Sequence, residues 1–218
     1  MAIDTAWYQA VNDLARHTPA LHTALAAYAL WGGLAALALL LIGGWLWARR
    51  QSDPARPVAV TVLTGVTVTA VMALLANQVA VSPAIARPRP CAALPRAEVL
   101  LPCSPDFSMP SDHAALAGAV LAGLWLLNRK FGLVATVLGV LLAFSRVYVG
   151  VHYPLDVLAG LLGGAAVSLV VVLALRGPVS TLAARLDDTQ LGWLVHTCEQ
   201  PARHSTQPDR RGLAPRAT

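Results

Sequence analysis

Three short polar clusters in the sequence combine side chains that phosphate chemistry needs. The clusters are Arg87-Pro88-Arg89-Pro90, Pro110-Ser111-Asp112-His113, and Ser145-Arg146 followed at fixed distances by His152 and Asp156. Each lies beside a long apolar segment, where ionisable groups are costly and therefore mark functional sites. We expect the three clusters to face one side of the molecule and to act together.

The third cluster predicts an activated histidine. Pro154 suits the first turn of a helix, so a helix should begin near Tyr153, with His152 just before it and Asp156 in its first turn. A carboxylate bonded to one ring nitrogen fixes the tautomer and makes the other nitrogen a better nucleophile or base. His152 and Asp156 are therefore predicted to form an activated pair.

The second cluster predicts a phosphate cradle with a proton donor. Ser111 is placed to cap the helix that follows, so the N–H groups and dipole of the first turn would face an anion. His113 in that turn can protonate a leaving oxygen, which contributes about 10²–10⁴ in rate. Arg146, with one or both of Arg87 and Arg89, supplies fork-shaped donors for phosphate oxygens. The pattern predicts phosphoryl transfer through a phosphohistidine, with no metal and no other cofactor.

The composition places these clusters in a membrane protein. Of 218 residues, 56% are hydrophobic and only 12% are charged, against about 25% charged in ordinary soluble chains. A soluble enzyme and a disordered chain are thereby excluded. The net charge is +5, but the sequence has no basic patch interleaved with aromatic residues, so nucleic acid is not expected as a partner.

Five apolar segments predict an all-α, polytopic membrane helix bundle. Most approach the ~20 residues that cross a bilayer, and the third is the shortest. They run roughly from His22 to Trp47, Pro57 to Val81, His113 to Leu127, Phe131 to Val149 and Leu155 to Leu175. An N-terminal helix with Ile3, Trp7, Val11 and Leu14 at helical spacing is expected either to lie in the membrane interface or to pack on the bundle.

Basic residues in the short connections predict the orientation. They follow the first, third and fifth spans as Arg49, Arg50, Arg56, Arg129, Lys130, Arg176 and Arg185. These connections are therefore expected in the cytoplasm, together with the C-terminus. The N-terminus and the loop from Ser82 to Met109 then lie outside. Arg87, Arg89 and Arg96 break the charge rule in that loop, and anion binding accounts for them.

The three clusters resemble the motifs of the type 2 phosphatidic acid phosphatase superfamily. That family carries K-x6-R-P, P-S-G-H and S-R-x5-H-x3-D, and this chain reads Arg89-Pro90, Pro110-Ser111-Asp112-His113 and Ser145-Arg146-x5-His152-x3-Asp156 in the same order. The third match is complete. Aspartate in place of the motif-two glycine is similar to the subgroup of bacterial undecaprenyl diphosphate phosphatases.

The resemblance implies a role for each site residue. His152 would be the nucleophile, Asp156 would orient it, and His113 would protonate the leaving group. The phosphate would be held by Arg89, Ser111 and Arg146, with the backbone N–H of Asp112 as a further donor.

The resemblance also implies the substrate and the location. The substrate would be a membrane lipid: undecaprenyl diphosphate, or alternatively phosphatidic acid or phosphatidylglycerol phosphate. The enzyme would sit in the bacterial inner membrane with its active site outside. The C-terminal tail lies outside the resemblance, and the residues themselves predict the division of the chain. Residues 1–176 are expected to form the membrane-embedded phosphatase domain, and residues 177–218 a cytoplasmic amphipathic segment, folded as a surface helix, with a disordered basic tail.

One position departs from the first motif. Counted back from Arg89 the family's lysine falls on Ser82, and the chain's only lysine, Lys130, is predicted at the opposite face. Arg87 is predicted to substitute for it as a phosphate ligand. The alternatives are weak activity, a different lipid headgroup, or a degenerate, noncatalytic lipid-binding relative. The side chain of Asp112 would repel a phosphate dianion unless it is protonated, turned away or paired with an arginine.

Other functional classes fit the sequence less well. A zinc hydrolase built from His113, His152, Asp112 and Asp156 would place a cation among arginines. A transporter is disfavoured because no inverted repeat or matching pair of broken helices is visible. The soluble acid phosphatase and haloperoxidase branch of the family is excluded by the apolar spans.

Cys91 and Cys103 both fall in the loop assigned to the outer face, where disulfides persist. We keep two expectations for this pair. Either the two cysteines form a disulfide that ties the first cluster to the second, or they are unrelated small residues. Cys198 is expected to be a free thiol in the cytoplasm.

Overall fold

Helices account for all regular structure in the part of the chain that can be described. The structure is a computed structural model, and it describes residues 2–50 and 55–187. The helices are α1 (Ala2–His17), α2 (His22–Ala27), α3 (Gly33–Arg49), α4 (Ala55–Ala76), α5 (Ser82–Ile85), α6 (Pro90–Ala93), α7 (Asp112–Leu127), α8 (Arg129–Tyr148) and α9 (Pro154–Asp187). A 3-10 turn at Pro19–Leu21 precedes α2, and π-helical segments join α2 to α3 (Tyr28–Gly32) and α4 to α5 (Asn77–Val81).

Five long helical stretches, referred to below as rods, form the predicted membrane bundle. Four described stretches are long and apolar enough to cross a membrane, namely Pro19–Ala48, Thr61–Ala93, Arg129–Tyr148 and Pro154–Leu175. The remaining rod, α7, is apolar but has 16 residues. The prediction of an all-α polytopic bundle with a short third span is confirmed. Leu39, Val137 and Leu162 are each more than 60% exposed, and such an outward apolar surface is solvated by lipid.

Small residues bring α7 and α9 into close contact. A Cβ added at Gly164 would lie 1.9 Å from the carbonyl oxygen of Ala115, and one added at Gly160 would lie 2.5 Å from that of Ser111. Helix backbones approach this closely only where no side chain separates them. The glycines therefore fix the starts of α7 and α9 beside each other, and these starts carry the second and third clusters.

Helix α1 packs across the end of the bundle where the clusters lie, with its polar face inward. Its buried residues are Asp4, Tyr8, Asn12 and Ala15. Asn12 exchanges two hydrogen bonds with the backbone of Glu98, at 2.8 and 2.9 Å. Ile3 and Trp7 are 70% and 59% exposed. Packing on the bundle thus leaves the apolar face of α1 open to the membrane interface.

Helix α9 continues across the predicted domain boundary at residue 176. It runs through Pro178 to Asp187, so the segment predicted as a separate surface helix begins as an extension of the last span. The rest of that segment and the predicted basic tail, residues 188–218, lie outside the described residues. The division into two domains stays a prediction.

Candidate active site

The three polar clusters meet at one end of the bundle. α7 and α9 begin there and α8 ends there. The backbone N–H of Ser108 donates to the carbonyl of Arg87 at 2.8 Å, and that of Ser111 donates to the carbonyl of Asp156 at 3.0 Å. The second of these bonds joins residues that are more than forty positions apart in the sequence. Main-chain hydrogen bonds therefore tie distant segments of the chain together at this end.

His152 is buried and its ring is held from both sides. Its Nδ1 lies 2.8 Å from the carbonyl oxygen of Ser108. A carbonyl only accepts, so Nδ1 carries the proton and Nε2 keeps a lone pair. Nη1 of Arg89 lies 3.0 Å from Nε2. The lone pair of Nε2 thus faces a cation that can also hold a phosphate oxygen.

Asp156 stands behind the histidine. Its Oδ2 lies 3.8 Å from Nδ1 of His152, while it accepts hydrogen bonds from the Ser108 hydroxyl and from the backbone N–H of Tyr153 at 2.8 Å. A carboxylate that returns to the N-cap N–H is half of a capping box. The carboxylate was predicted to bond the imidazole directly; in the structure the Ser108 carbonyl is nearer, and Asp156 holds Ser108 and the start of α9.

Burial lowers the pKa of His152 below its ordinary value. Asp156 opposes this shift, and the positive charges of Arg146 and Arg89 reinforce it. The result is a neutral imidazole near pH 7, which is the form that can act as a nucleophile.

Arg87 lies on the far side of Asp156, between two carboxylates. Its Nη1 donates to Oδ1 of Asp156 at 2.6 Å, its Nη2 pairs with Asp4, and its guanidinium carbon lies 4.0 Å from the centre of the Tyr153 ring. Ser82, at the family's lysine position, is buried. The arginine predicted to replace that lysine is thus already bonded to carboxylates, and its role as a phosphate ligand stays a prediction.

Arg89 carries a carboxylate partner that the sequence did not reveal. Its Nε and Nη2 donate to Asp106 at 3.1 and 2.9 Å. Burial alone would raise the pKa of Asp106, but hydrogen bonds from Arg89 and Ser104 and the charge of Arg89 lower it below its ordinary value. An ionised carboxylate therefore occupies two of the Arg89 donor groups that were predicted to hold phosphate oxygens.

Two buried polar atoms in the predicted phosphate cradle have no hydrogen-bond partner within the described ranges. They are Oγ of Ser111 and Nε of Arg146. Ser111 is at the N-cap of α7 as predicted, but its hydroxyl makes no capping bond. Ser111 lies at the start of α7 and Arg146 in the last turn of α8. Buried polar groups are normally paired, so these two unpaired atoms indicate where a ligand binds.

The π-helical segment Tyr28–Gly32 faces this cradle. Nη1 of Arg146 donates to the carbonyl of Ala29 at 3.2 Å. Nε2 of His113 lies 3.3 Å from the carbonyl oxygen of Leu30, so this nitrogen carries a proton. His113 and Arg146 are therefore held side by side against the first span.

The carboxylate of Asp112 is held by two side-chain amides. Amide groups of Asn77 and Gln78 donate to its two carboxylate oxygens, the latter at 2.7 Å. The carboxylate is thus held by two neutral amides, and among the described residues no arginine pairs with it. Asn77 and Gln78 come from the π-helical extension of α4.

The loop between the first two clusters is closed by a disulfide. Cys91 and Cys103 are joined, which confirms one of the two expectations for these residues. Leu100 donates its N–H to the carbonyl of Val149 at 3.0 Å. Gly150 has a φ of +86°, and a Cβ there would lie 2.4 Å from the carbonyl oxygen of Glu98. The loop is thereby fixed against the turn that precedes His152.

The zinc alternative finds no geometric support in residues 2–50 and 55–187. Within these ranges no three His, Cys, Asp or Glu side chains are grouped so as to hold a metal ion. The four residues considered for zinc are instead bonded to amides, carbonyls and arginines.

Sequence reasoning missed several residues that contact the site. They are Asp4, Asn77, Gln78, Asp106 and Ser108. Two patterns pointed to some of them. Asp4, Tyr8 and Asn12 recur every fourth residue on one face of α1, and two amides end an apolar segment where little else is polar.

Comparisons with known proteins agree with the motifs. Residues 57–178 match the PAP2 superfamily. The chain is 32% identical over 154 residues to undecaprenyl-diphosphatase BcrC of Bacillus subtilis (strain 168), which covers 71% of this chain and 75% of that protein. It is 39% identical over 90 residues to an undecaprenyl-diphosphatase of Sulfolobus acidocaldarius, covering 40% and 44%.

Solved structures share the fold. The crystal structure of Aquifex aeolicus LpxE has a TM-score of 0.57 at 23% identity and covers 79% of this chain and 96% of its own. A transmembrane PAP2 type phosphatidylglycerolphosphate phosphatase from Bacillus subtilis has a TM-score of 0.57 at 21% identity, covering 81% and 86%. The family match extends over more than half of the chain and includes all three motifs. The chain therefore belongs to the PAP2 superfamily, as a membrane lipid phosphatase.

Proposed function

We propose that this protein releases the terminal phosphate of undecaprenyl diphosphate at the outer face of a bacterial inner membrane, through a phosphohistidine on His152 and without a metal. The observation that carries the proposal is the ring orientation of His152. With Nδ1 bonded to the Ser108 carbonyl at 2.8 Å, the lone pair of Nε2 is directed toward Arg89 at 3.0 Å.

Chemistry at such a site proceeds in two steps. Nε2 of His152 attacks the terminal phosphorus, an N–P bond forms, and the bond to the bridging oxygen breaks. His113 gives its proton to that oxygen, so the lipid leaves as a monophosphate. Water then attacks the phosphohistidine with His113 as the base. The N–P bond breaks, inorganic phosphate is released, and the starting protonation states return.

The phosphate in this scheme is held by groups from three elements. Arg89 lies beside the nucleophile, and Ser111 Oγ and Arg146 Nε are buried and lack partners among the described residues. N–H groups at the start of α7 add donors in a place where a helix favours an anion. Asp106 must give up part of its pairing with Arg89 as phosphate enters.

The choice of lipid rests on the relatives. Identity of 32% over 71% of the chain to an undecaprenyl-diphosphatase favours undecaprenyl diphosphate over phosphatidic acid and phosphatidylglycerol phosphate. Asp112 in place of the motif-two glycine points the same way.

The orientation is supported by charge and by the disulfide. Arg129 and Lys130 begin α8 at the end of the bundle opposite the clusters, as expected for a cytoplasmic connection. The Cys91–Cys103 disulfide lies at the cluster end, and disulfides persist in oxidising compartments. Both observations favour an active site that faces outward.

Phosphate release from a lipid panel tests the proposal. Purified protein in detergent is given undecaprenyl diphosphate, phosphatidic acid and phosphatidylglycerol phosphate, each with and without a chelator. We expect the highest kcat/KM on undecaprenyl diphosphate and no effect of the chelator. Preference for another lipid would overturn the substrate, and loss of activity with chelator would overturn the metal-free step.

A noncatalytic lipid-binding role is the second candidate. The buried Ser82 at the lysine position and the pairing of Arg87 with two carboxylates favour it, because a phosphate-binding cation is then absent. Retained lipid binding with no phosphate release from any member of the panel would support it.

A further inference from the structure

A carboxylate from the N-terminal helix reaches the active site. Asp4, in the first turn of α1, is 2% exposed. Its Oδ1 accepts the backbone N–H of Leu155 at 3.0 Å, and its Oδ2 accepts from Nη2 of Arg87. Burial of a carboxylate is costly unless it is paired and hydrogen-bonded. Here both requirements are met by partners more than eighty residues away in sequence.

The contact with Asp4 makes Arg87 a bridge between two carboxylates. Its Nη1 donates to Oδ1 of Asp156 at 2.6 Å while its Nη2 pairs with Asp4. The guanidinium is planar and rigid, so the direction of one fork arm fixes that of the other. The position of Asp156 is therefore coupled to that of Asp4.

The contact of Asp4 with Leu155 caps the start of α9. The first N–H groups of a helix have no partner within the helix. In α9 the N–H of Leu155 is satisfied by Asp4 at 3.0 Å, and that of Tyr153 by Asp156 at 2.8 Å. The two carboxylates thus share the helix start that directly follows His152.

We propose that Asp4 is a positioning residue of the active site. It holds Arg87 and the start of α9, so that Asp156 and Ser108 keep the His152 ring directed at phosphorus. This inference rests on the proposed phosphatase function. Because α1 precedes residues 57–178, which match the family, the contact adds a residue that the family motifs do not contain.

The primary test is Asp4→Asn, which keeps the size of the side chain and removes its charge. We expect kcat to fall about 10- to 100-fold, since a misplacement of ~1 Å has that effect, while KM changes less. Asp13→Asn is the matched control, because Asp13 is on the same helix but pairs only with Arg16 at the surface in the described structure. It should behave as the unmodified protein.

Three further variants separate loss of helix docking from loss of positioning. Asn12→Ala removes the bonds of α1 to Glu98 and leaves Asp4 in place; kcat should fall much less than in Asp4→Asn. Arg87→Met and the double variant Asp4→Asn/Arg87→Met complete a cycle. The proposal predicts that the double variant loses far less than the product of the two single losses. A multiplicative loss, or an Asp4→Asn variant with unchanged kcat, would overturn it.

A probe that needs no turnover distinguishes failure of this inference from failure of the proposed phosphatase function. Orthovanadate resembles phosphate in phosphoryl transfer, and its binding is measured by thermal shift. If no lipid is hydrolysed, the affinity for vanadate tests whether Asp4 positions the site. We expect vanadate to bind at least about fivefold more weakly to Asp4→Asn than to Asp13→Asn. Equal affinity in the two variants, or no binding to the unmodified protein, overturns the inference. If Asp4→Asn is not monodisperse, Asp4→Glu replaces it, and an unchanged kcat in that variant contradicts the proposal.

Discussion

Nδ1 of His152 lies 2.8 Å from the carbonyl oxygen of Ser108, and this contact decides which ring nitrogen carries the proton and which keeps its lone pair. The hydroxyl of the same serine donates to Asp156. One residue therefore connects the imidazole, through its backbone, to the carboxylate, through its side chain. The tautomer is set by a main-chain atom that substitution of Ser108 leaves in place.

The pKa of His152 predicts the acidic side of the pH profile. Burial lowers it below the ordinary value of 6.5, so the imidazole takes up its second proton only at a lower pH than a free histidine does. We expect the acidic limb of kcat/KM to lie below pH 6.5. Since the unfolded chain takes up this proton first, the free energy of unfolding should also fall as the pH drops below the same value. An acidic limb above it would contradict the account.

Asn77 is predicted to keep the charge of Asp112 away from the substrate. In Asn77→Ala one of the two amides that hold the carboxylate is lost, and the freed charge would repel phosphate. KM should rise about fivefold, which corresponds to ~1 kcal/mol between unit charges in water at close range. The double variant Asn77→Ala/Asp112→Gly should restore KM. Steady-state kinetics on the preferred lipid measures both, and an unchanged KM in the single variant would refute the role.

The contact of α7 with α9 offers a matched pair of glycines. A Cβ at Gly164 would lie 1.9 Å from the carbonyl oxygen of Ala115, whereas one at Gly163 meets nothing within 4 Å. Gly164→Ala should destabilise the protein by about 1–3 kcal/mol, as overpacking does, and Gly163→Ala should not. Thermal unfolding in detergent measures the difference. Equal Tm values for the two variants would show that the helices do not meet through Gly164.

The disulfide and the orientation can be tested together by thiol labelling of intact cells. An impermeant maleimide should label Cys91 and Cys103 only after reduction, because the two are joined. Cys198, which lies outside the described residues, should label only after permeabilisation. Ready labelling of Cys91 and Cys103 without reductant would rule out the bridge. Labelling of Cys198 from outside would reverse the predicted topology.

The spans and the starts of the key helices were predictable because they depend on local properties. Apolar length marked the five rods, and Pro154 marked the start of α9, where the structure has it. The shortness of α7 followed from the polar motif at its beginning. These features need no knowledge of which segments are neighbours.

The contacts behind His152 were not predictable, because they depend on how loops and helix ends meet. The sequence pattern placed Asp4 on the polar face of a surface helix. In the structure that polar face of α1 is the buried one. In a lipid environment the apolar face of α1 points outward, and the polar stripe is the side that packs. Ser108 and Asp106 sit in a loop whose course is set by the disulfide and by bonds to Arg87 and Arg89, so no periodic pattern marked them.

The most direct test of the phosphohistidine is to trap it. Undecaprenyl diphosphate labelled in its terminal phosphate is mixed with the purified protein, the reaction is quenched under basic conditions within one turnover, and the labelled peptide is located by mass spectrometry. We expect label on His152, little in Asp156→Asn, and none in His152→Ala. Label on another residue, or phosphate release at the normal rate by His152→Ala, would contradict the account.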